Sequence, residues 1–487
     1  MRRLLAMTMA VIILVSMTAC KTDTEHDVIE GNADLLTSSD ESGSQSGIVI
    51  EQSSEASSME VSLESENTDA ESALSSSASA SSKSKTESGT SASSVPSVSS
   101  SLPSSSSAPS SESAPKNDTV PVSGETKAVW VSFLEYQSIM TGKTEKQFTS
   151  NVKIMFENIA ADGFNTVFVH VRSHSDAMYD SDIYPWSVYC AGQEGKAPGY
   201  DPLEIMVKEA HNAGLKIEAW VNPYRVKGTT DTSKICSDSP AYGWLGTDKV
   251  VIVDGSGIFY NPADEDVIDL VVSGVEEIVR NYDVDGIHFD DYFYPTTAAS
   301  FDASYYKSYT NSGGKLSLSD WRRQNVNTLI KRVYSAIKSI DSSCRFGVSP
   351  TGNMNSNYSS LYCDVYTWAT SSGYVDYICP QLYYGFNHGS LPYLSALSEF
   401  DDMITASGVE LIVGLAAYKS GAADNYAGTG KSEWIDNNDI LSRQVTAARN
   451  MENYGGFAVY RYDSLYNPSS SVSDAVKKEF KYLKNVM

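Results

Sequence analysis

The chain has 487 residues, a formal net charge of −25 and 41% hydrophobic residues. That length allows more than one domain, but the apolar residues are spread very unevenly, so length overstates the folded part. Such an excess of acid repels polyphosphates and argues against nucleic-acid binding.

In chain order, residues 1–20 read as an export signal. Arg2 and Arg3 form a basic start, and an apolar run over residues 4–17 is too short for a comfortable membrane span. Thr18-Ala19-Cys20 then resembles the lipobox of bacterial lipoproteins, with Met17 where that pattern usually has Leu. Cleavage there leaves Cys20 as a lipidated N-terminus that holds the chain to the outer face of a membrane. Ordinary secretion with cleavage near Ala19 stays open, and it also exports the protein. Residues 21–120 are dominated by Ser, with Glu, Ala and Thr. They cannot bury enough apolar surface to offset chain entropy, so the expectation is a disordered spacer. The folded part, residues 121–487, is acidic by itself.

From there strand-like and helix-like segments alternate. Strands are expected over residues 128–133, 166–172, 216–222, 284–290, 345–349, 375–383, 410–418 and 457–462. Helices are expected over 144–162, 201–212, 265–281, 319–340, 393–406, 439–451 and 472–483, with a helical piece at 362–371 and an extra strand at 249–254 inside an insertion. Eight strands alternating with helices predict an α/β fold, a (β/α)8 TIM barrel with insertions. An open doubly wound sheet is disfavoured, because no Gly-rich phosphate loop follows the first strand.

Side-chain parity sorts the strand residues. Val129, Val131, Val167, Val169, Ile217, Ala219, Ile287, Phe289, Phe346, Val413 and Val459 belong to the face toward the helices. The other face carries Trp130, Ser132, His170, Arg172, Glu218, Trp220, Asn222, His288, Asp290, Gln381, Tyr383, Tyr418, Tyr460 and Tyr462, and it is polar mostly at C-terminal strand ends. Barrel enzymes place their reacting groups at those ends. Asp290 therefore leads the candidates for catalysis, near where His170, Arg172, Asn222 and Gln381 should converge. Asp291 has the opposite parity and reaches the site only if the strand already bends there. His170 and His288 read equally as core histidines or as ligand contacts. Glu218, deep in the barrel, needs a partner, with Arg345 or His170 as candidates. Asp285 is expected to be a turn residue.

Loops after the strands are rich in aromatics, among them Tyr224, Tyr292, Tyr294, Tyr383 and Tyr384. Flat rings pack on sugar faces while Asn, Arg and Gln read hydroxyls. With Cys20 lipidated, five cysteines remain without CxxC spacing, so neither a disulfide framework nor a zinc site is indicated, and pairing of Cys190 with Cys236 stays open. No HxH, HExxH or Ca2+-loop pattern appears, so no metal or other cofactor is implied.

The stretch Val284-Asp-Gly-Ile-His-Phe-Asp-Asp-Tyr-Phe-Tyr-Pro295 carries a resemblance. So do the runs 129–131, 163–172, 217–224, 261–262, 347–350 and 380–384. Together they resemble the glycoside hydrolase-like family 10 barrels, first catalogued as domain of unknown function 187. The resemblance implies a glycoside hydrolase acting on a carbohydrate polymer of the cell envelope, such as peptidoglycan glycan strands or an N-acetylhexosamine polymer. Its site would be Asp290 and Asp291. His170, Arg172, Asn222, Tyr224, His288, Tyr294, Gln381, Tyr383 and Tyr384 would bind sugar. The same strand is similar to that of the family 18 chitinases, but His288 replaces one Asp and Tyr292 stands where their catalytic Glu would be. A neighbouring barrel family that cleaves partly deacetylated poly-N-acetylglucosamine has an Asp-Asp pair at this strand end, which fits better. Glycosidases usually use two separated carboxyl groups, and Glu433, Asp302 and Asp463 are the loop candidates for a second. The competing expectation is a non-catalytic glycan-binding lipoprotein using the same barrel mouth.

Overall fold

Over the first strand Val129 and Val131 alternate with Ala128 and Trp130, and similar alternation in its successors gives each strand two different faces, both buried by closure into a barrel. The computed structural model describes residues 124–487. The expected export signal, Cys20 and the expected spacer fall on residues outside these. The barrel strands are β1 (Thr126–Val131), β2 (Thr166–Arg172) and β3 (Lys216–Val221), then, beyond an insertion, β7 (Gly286–Phe289), β8 (Arg345–Val348), β9 (Tyr377–Ile378), β10 (Glu410–Ala416) and β11 (Tyr454–Tyr460). They close in the order β1-β11-β10-β9-β8-β7-β3-β2, and every pair is parallel. This is the expected TIM barrel. The insertion forms its own antiparallel sheet from β4 (Arg225–Lys227), β5 (Val250–Val253) and β6 (Gly257–Tyr260), two strands more than the sequence suggested.

The helix-facing parity set lies in the core between strands and helices, from Val129 to Val459. A separate interior cluster of Ala128, Trp130, Phe168, Trp220, Tyr377, Cys379, Ile412 and Ala458 fills the barrel. The helices carry their stop and start chemistry locally. Asp201 caps Pro202–Asn212 through Leu203 and Glu204 N–H, and Asp264 caps Glu265–Asn281 through Val267 N–H.

Four strand ends differ from expectation. Ser132 leaves β1 to become the N-cap of a helix, Phe133–Ile139, because its hydroxyl and Glu135 form a capping box. β9 shrinks to Tyr377–Ile378 because Pro380 cannot donate to a ladder; Gln381 keeps only isolated bridges to Thr351 and Gly414. At the ends of β10 and β11, Tyr418 sits in a 3-10 turn with its ring edge-on to Tyr383 and Tyr460, and Tyr462 sits in a short helix packed on the outer core rather than inside the barrel.

Candidate active site

β7 ends at Phe289, and the chain bends at once, with Phe293 N–H bonded to Asp291 O at 2.9 Å. The bend overrides strand parity and turns both carboxylates into the barrel mouth. Register places Trp220 of β3 beside His288 and Val221 beside Phe289, so side chains from the end of β3 reach Asp290. Trp220 Nε1–H donates to Asp290 Oδ2 at 2.9 Å, and Asn222 Nδ2–H donates to the same oxygen at 3.4 Å. Gln381, past β9, donates to Asp291 Oδ1 at 3.3 Å and to Ser349 O at 3.2 Å. Each carboxylate thus has one held oxygen. Asp290 Oδ1 and Asp291 Oδ2 are buried with no hydrogen-bond partner among the described residues.

Burial dominates the electrostatics. It pushes the Asp290 carboxyl up to about 7, with the Asp291 charge adding to the rise and the Trp220 bond and the Arg225 guanidinium opposing it. Burial likewise raises Asp291 to about 6, against the Gln381 bond. His170 lies flat on Trp220, ring centroids 3.7 Å apart and planes at 10°. It is buried, and neither ring nitrogen has a partner among the described residues. Burial, helped by Arg225, holds its pKa well below the usual histidine range, so the ring is neutral.

The remaining candidates divide. Asn222 and Gln381 meet the carboxylates, and half-buried Tyr383 sits edge-on to Tyr418 at 5.9 Å and tilted to Tyr460 at 5.9 Å, on the β9–β11 side of the barrel. Arg172 does not reach Asp290. Its guanidinium bonds Tyr184 Oη, Asn222 O at 3.1 Å and Pro223 O at 3.3 Å, so it braces the loop that carries Asn222. His288 lies below the site, its two nitrogens bonded to Trp130 and Tyr377. Tyr224 is fully buried, edge-on to Phe293. Tyr294 packs on Tyr362 and Phe301 with its hydroxyl accepting from Asn325 Nδ2, behind the mouth rather than in it. Tyr384 is buried edge-on to His388.

The three loop carboxylates are engaged elsewhere. Glu433 accepts from Phe386 and Asn387 N–H, Asp302 forms a fully buried ion pair with Arg322, and Asp463 accepts from Asn467. Glu218 takes a hydrogen bond from Tyr377 Oη at 2.5 Å, with Arg345 its main cationic neighbour; His170 plays no part. Asp285 closes its turn by accepting from Ile217 N–H and pairing with His211. Cys190 and Cys236 are unpaired thiols. Among the described residues, no group of three or more His, Cys, Asp or Glu is placed to hold a metal ion.

Two members escaped the sequence reading of the site. Trp220 was visible only as an inward residue, and its bond to Asp290 follows from the β3–β7 register. Arg225 opens the inserted sheet, with its backbone N–H bonded to Asn222 Oδ1 at 3.0 Å and its guanidinium 5.3 Å from the Tyr292 ring centroid. Only the fold of the insertion brings it there.

Residues 125–432 match the description "Glycosyl hydrolase-like 10". The chain belongs to that family. Among curated relatives, this family member is 31% identical over 380 residues to "Glycosyl hydrolase YngK" of Bacillus subtilis (strain 168), covering 73% of this chain and 71% of that one. It is 33% identical over 332 residues to "Glycosyl hydrolase DigH" of Escherichia coli (strain K12), covering 63% of this chain and 74% of that one. Among solved structures, the glycoside hydrolase domain of PgaB (BpsB) from Bordetella bronchiseptica superposes with a TM-score of 0.51 at 13% identity, covering 74% of this chain and 99% of that one. That likeness is one of fold.

Proposed function

We propose that the chain is a glycoside hydrolase that cleaves a cell-envelope glycan, with Asp290 and Asp291 as its catalytic carboxyl pair. The observation that carries this reading is the pair itself: two adjacent buried acids, each with one oxygen held by N–H donors and one oxygen without a partner among the described residues. Buried acids of this kind are costly to keep unless they work. With Oδ2 of Asp290 accepting from Trp220 and Asn222, the proton of its neutral form belongs on Oδ1, aimed away from its supports. A carboxyl raised to about 7 keeps that proton in mildly acidic surroundings and can deliver it to a glycosidic oxygen. As the C–O bond breaks, the Asp291 carboxylate stabilises the positive charge on the sugar ring. A water adds at the anomeric carbon and gives its proton to the pair, which restores the starting state.

His170 and Asn222 on one side and Gln381 and Tyr383 on the other offer the polar and aromatic contacts a pyranose ring needs. Export through residues 1–20, lipidation of Cys20 and display on the Ser-rich spacer complete the proposal, and they would put the barrel beside envelope polymer.

Asp290→Asn, assayed for reducing-end release from purified glycan strands, tests this reading. Loss of turnover with glycan affinity kept is the expected result. Turnover at the wild-type rate would overturn it, and a wild-type protein that binds glycan without ever cleaving it would establish the binding-lipoprotein alternative.

A further inference from the structure

A second feature with sugar-binding chemistry lies outside the mouth. A groove of about 430 Å3 runs between one face of the helix Leu318–Ile340, bearing Arg323, Asn327 and Lys331, and the segment that supplies Tyr358, Asp364 and Tyr374. That volume is in the lower half of the range of roughly 300–1,000 Å3 found for small-ligand sites. Tyr358 and its edge-on neighbour Tyr366, centroids 6.0 Å apart, keep 38% and 45% of their surface in solvent, and Leu316 at the groove's end keeps 38%. Clustered exposed rings of this size mark interaction surfaces.

The groove is built rather than incidental. The Arg323 guanidinium stacks 3.7 Å from the Tyr358 ring centroid, donates to Tyr358 O at 2.8 Å and pairs with Asp320 at 2.6 Å, which fixes the ring in place. Asn327 is clamped between Asp364, to which it donates at 2.8 Å, and buried Trp368, from which it accepts at 2.6 Å. The charged groups of the lining are Asp320, Asp364, Arg323 and Lys331, two of each sign, so the groove has no net charge to draw a polyanion or a basic peptide. Tyrosine rings backed by a cation, with carboxylates and amides beside them, suit an uncharged polyhydroxylated chain.

The helix that walls the groove also holds the loop that follows the carboxyl pair. Arg322, next to Arg323, bonds Thr297 O and Ala298 O in the loop that follows Asp290 and Asp291, and Asn325 on the same helix donates to Tyr294 in that loop.

We propose that this groove is an accessory glycan-binding site, which holds a neutral stretch of the polymer while another stretch occupies the mouth. It rests on the glycosidase reading for its ligand, but it makes its own prediction. The test is the double variant Tyr358→Ala/Tyr366→Ala in the full-length protein, beside a control, Leu394→Ala/Ile435→Ala, whose side chains are somewhat more exposed and lie outside the groove. Two readouts are needed: pull-down on insoluble glycan strands in the Asp290→Asn background, and hydrolysis of long strands against short soluble oligosaccharides in the active enzyme. Expected are about five- to tenfold weaker retention on strands and a matching loss of turnover on long substrate, exceeding any loss on short ones. Retention and long-strand turnover equal to the control's would overturn the accessory site, as would equal losses on long and short substrates. Because retention is measured without turnover, a failed accessory site and a failed catalytic reading give different results.

Discussion

Two layers of the same barrel interior, one above the other, obey opposite rules. In the lower layer Trp130 Nε1–H donates to His288 Nε2 at 3.1 Å. That leaves the His288 proton on Nδ1, which donates to Tyr377 Oη at 2.8 Å, and Tyr377 in turn donates to Glu218 at 2.5 Å. The chain is closed, and each of its links is satisfied. One layer up, His170, Asp290 and Asp291 are as deeply buried, yet four of their polar atoms have no partner among the described residues. His288 and His170 make the contrast plain, since both project inward and both are held neutral by burial, but only one has its nitrogens used. A saturated buried network serves the fold, whereas buried polar atoms without a protein partner ask for a functional explanation.

The lower layer also shows how such a network fits. A side chain at Gly347 would put its Cβ 2.0 Å from the Tyr377 ring, and one at Gly286 would come within 2.7 Å of Glu218. These two glycines, neighbours of His288 in the β7–β8 register, make the room that Tyr377 and Glu218 occupy.

The sharpest way to break the comparison is at Asp290. Asp290→Asn is expected to lower kcat on glycan strands by about a thousandfold, the scale of a lost acid catalyst. Its melting temperature at pH 7 should not fall, because it removes a buried carboxyl that the fold strains to keep; a clear fall in melting temperature would put Asp290 with the structural layer. Next in size is the reverse case. Tyr377→Phe leaves Glu218 and His288 each short of a partner, so it should cost about 1–3 kcal/mol in denaturant unfolding while kcat changes little. A large kcat effect without a stability loss would erase the distinction.

Trp220→Phe probes the seam between layers. It keeps a ring under His170 but withdraws a donor from the Asp290 carboxylate. Expected are roughly a tenfold loss in kcat and an upward move of the pH at which Asp290 deprotonates, read from the pH–rate profile. A profile that stays in place would mean the bond does not tune the acid.

The last prediction concerns stability with pH. Asp290, Asp291 and Glu218 have folded pKa values raised to about 7, 6 and 7, so their share of stability is full below the ordinary carboxylate range and drains away as pH rises toward 7. His288 works in the opposite sense. Its pKa is lowered to about 3, so its share is full above the ordinary histidine value and is lost as pH falls from there toward 3. Asp290→Asn should flatten the first slope and leave the second, as measured by unfolding free energy from pH 4 to 8.

Much of the fold was legible because a strand alternates its faces with period two. The outward set from Val129 to Val459 needed only that rule, and so did the inward placement of Trp130, Trp220 and His288. Alternation says nothing about height within the barrel, which is why it left His288 open between core and sugar contact; the structure gives both its nitrogens protein partners. It also stops where the strand stops. Asp291 enters the mouth because the chain bends past Phe289, and Arg172, after an irregularity in the β2–β3 register, spends its donors on Tyr184 and on carbonyls of the next loop. Glu433, Asp302 and Asp463 looked available only because their partners Phe386, Arg322 and Asn467 were not seen to be partners.

From its order of residues alone the chain settled its barrel, the inner and outer faces of its strands, and Asp290 as the acid at the end of one of them, since local periodicity and covalent neighbourhood decide all three. The register between β3 and β7, the bend after Phe289 and the folding of the insertion decided who bonds whom: Trp220 and Asn222 on Asp290, Gln381 on Asp291, Arg225 beside them. Those are contacts between residues far apart in the chain, and their free energies depend on distances that only the closed barrel sets.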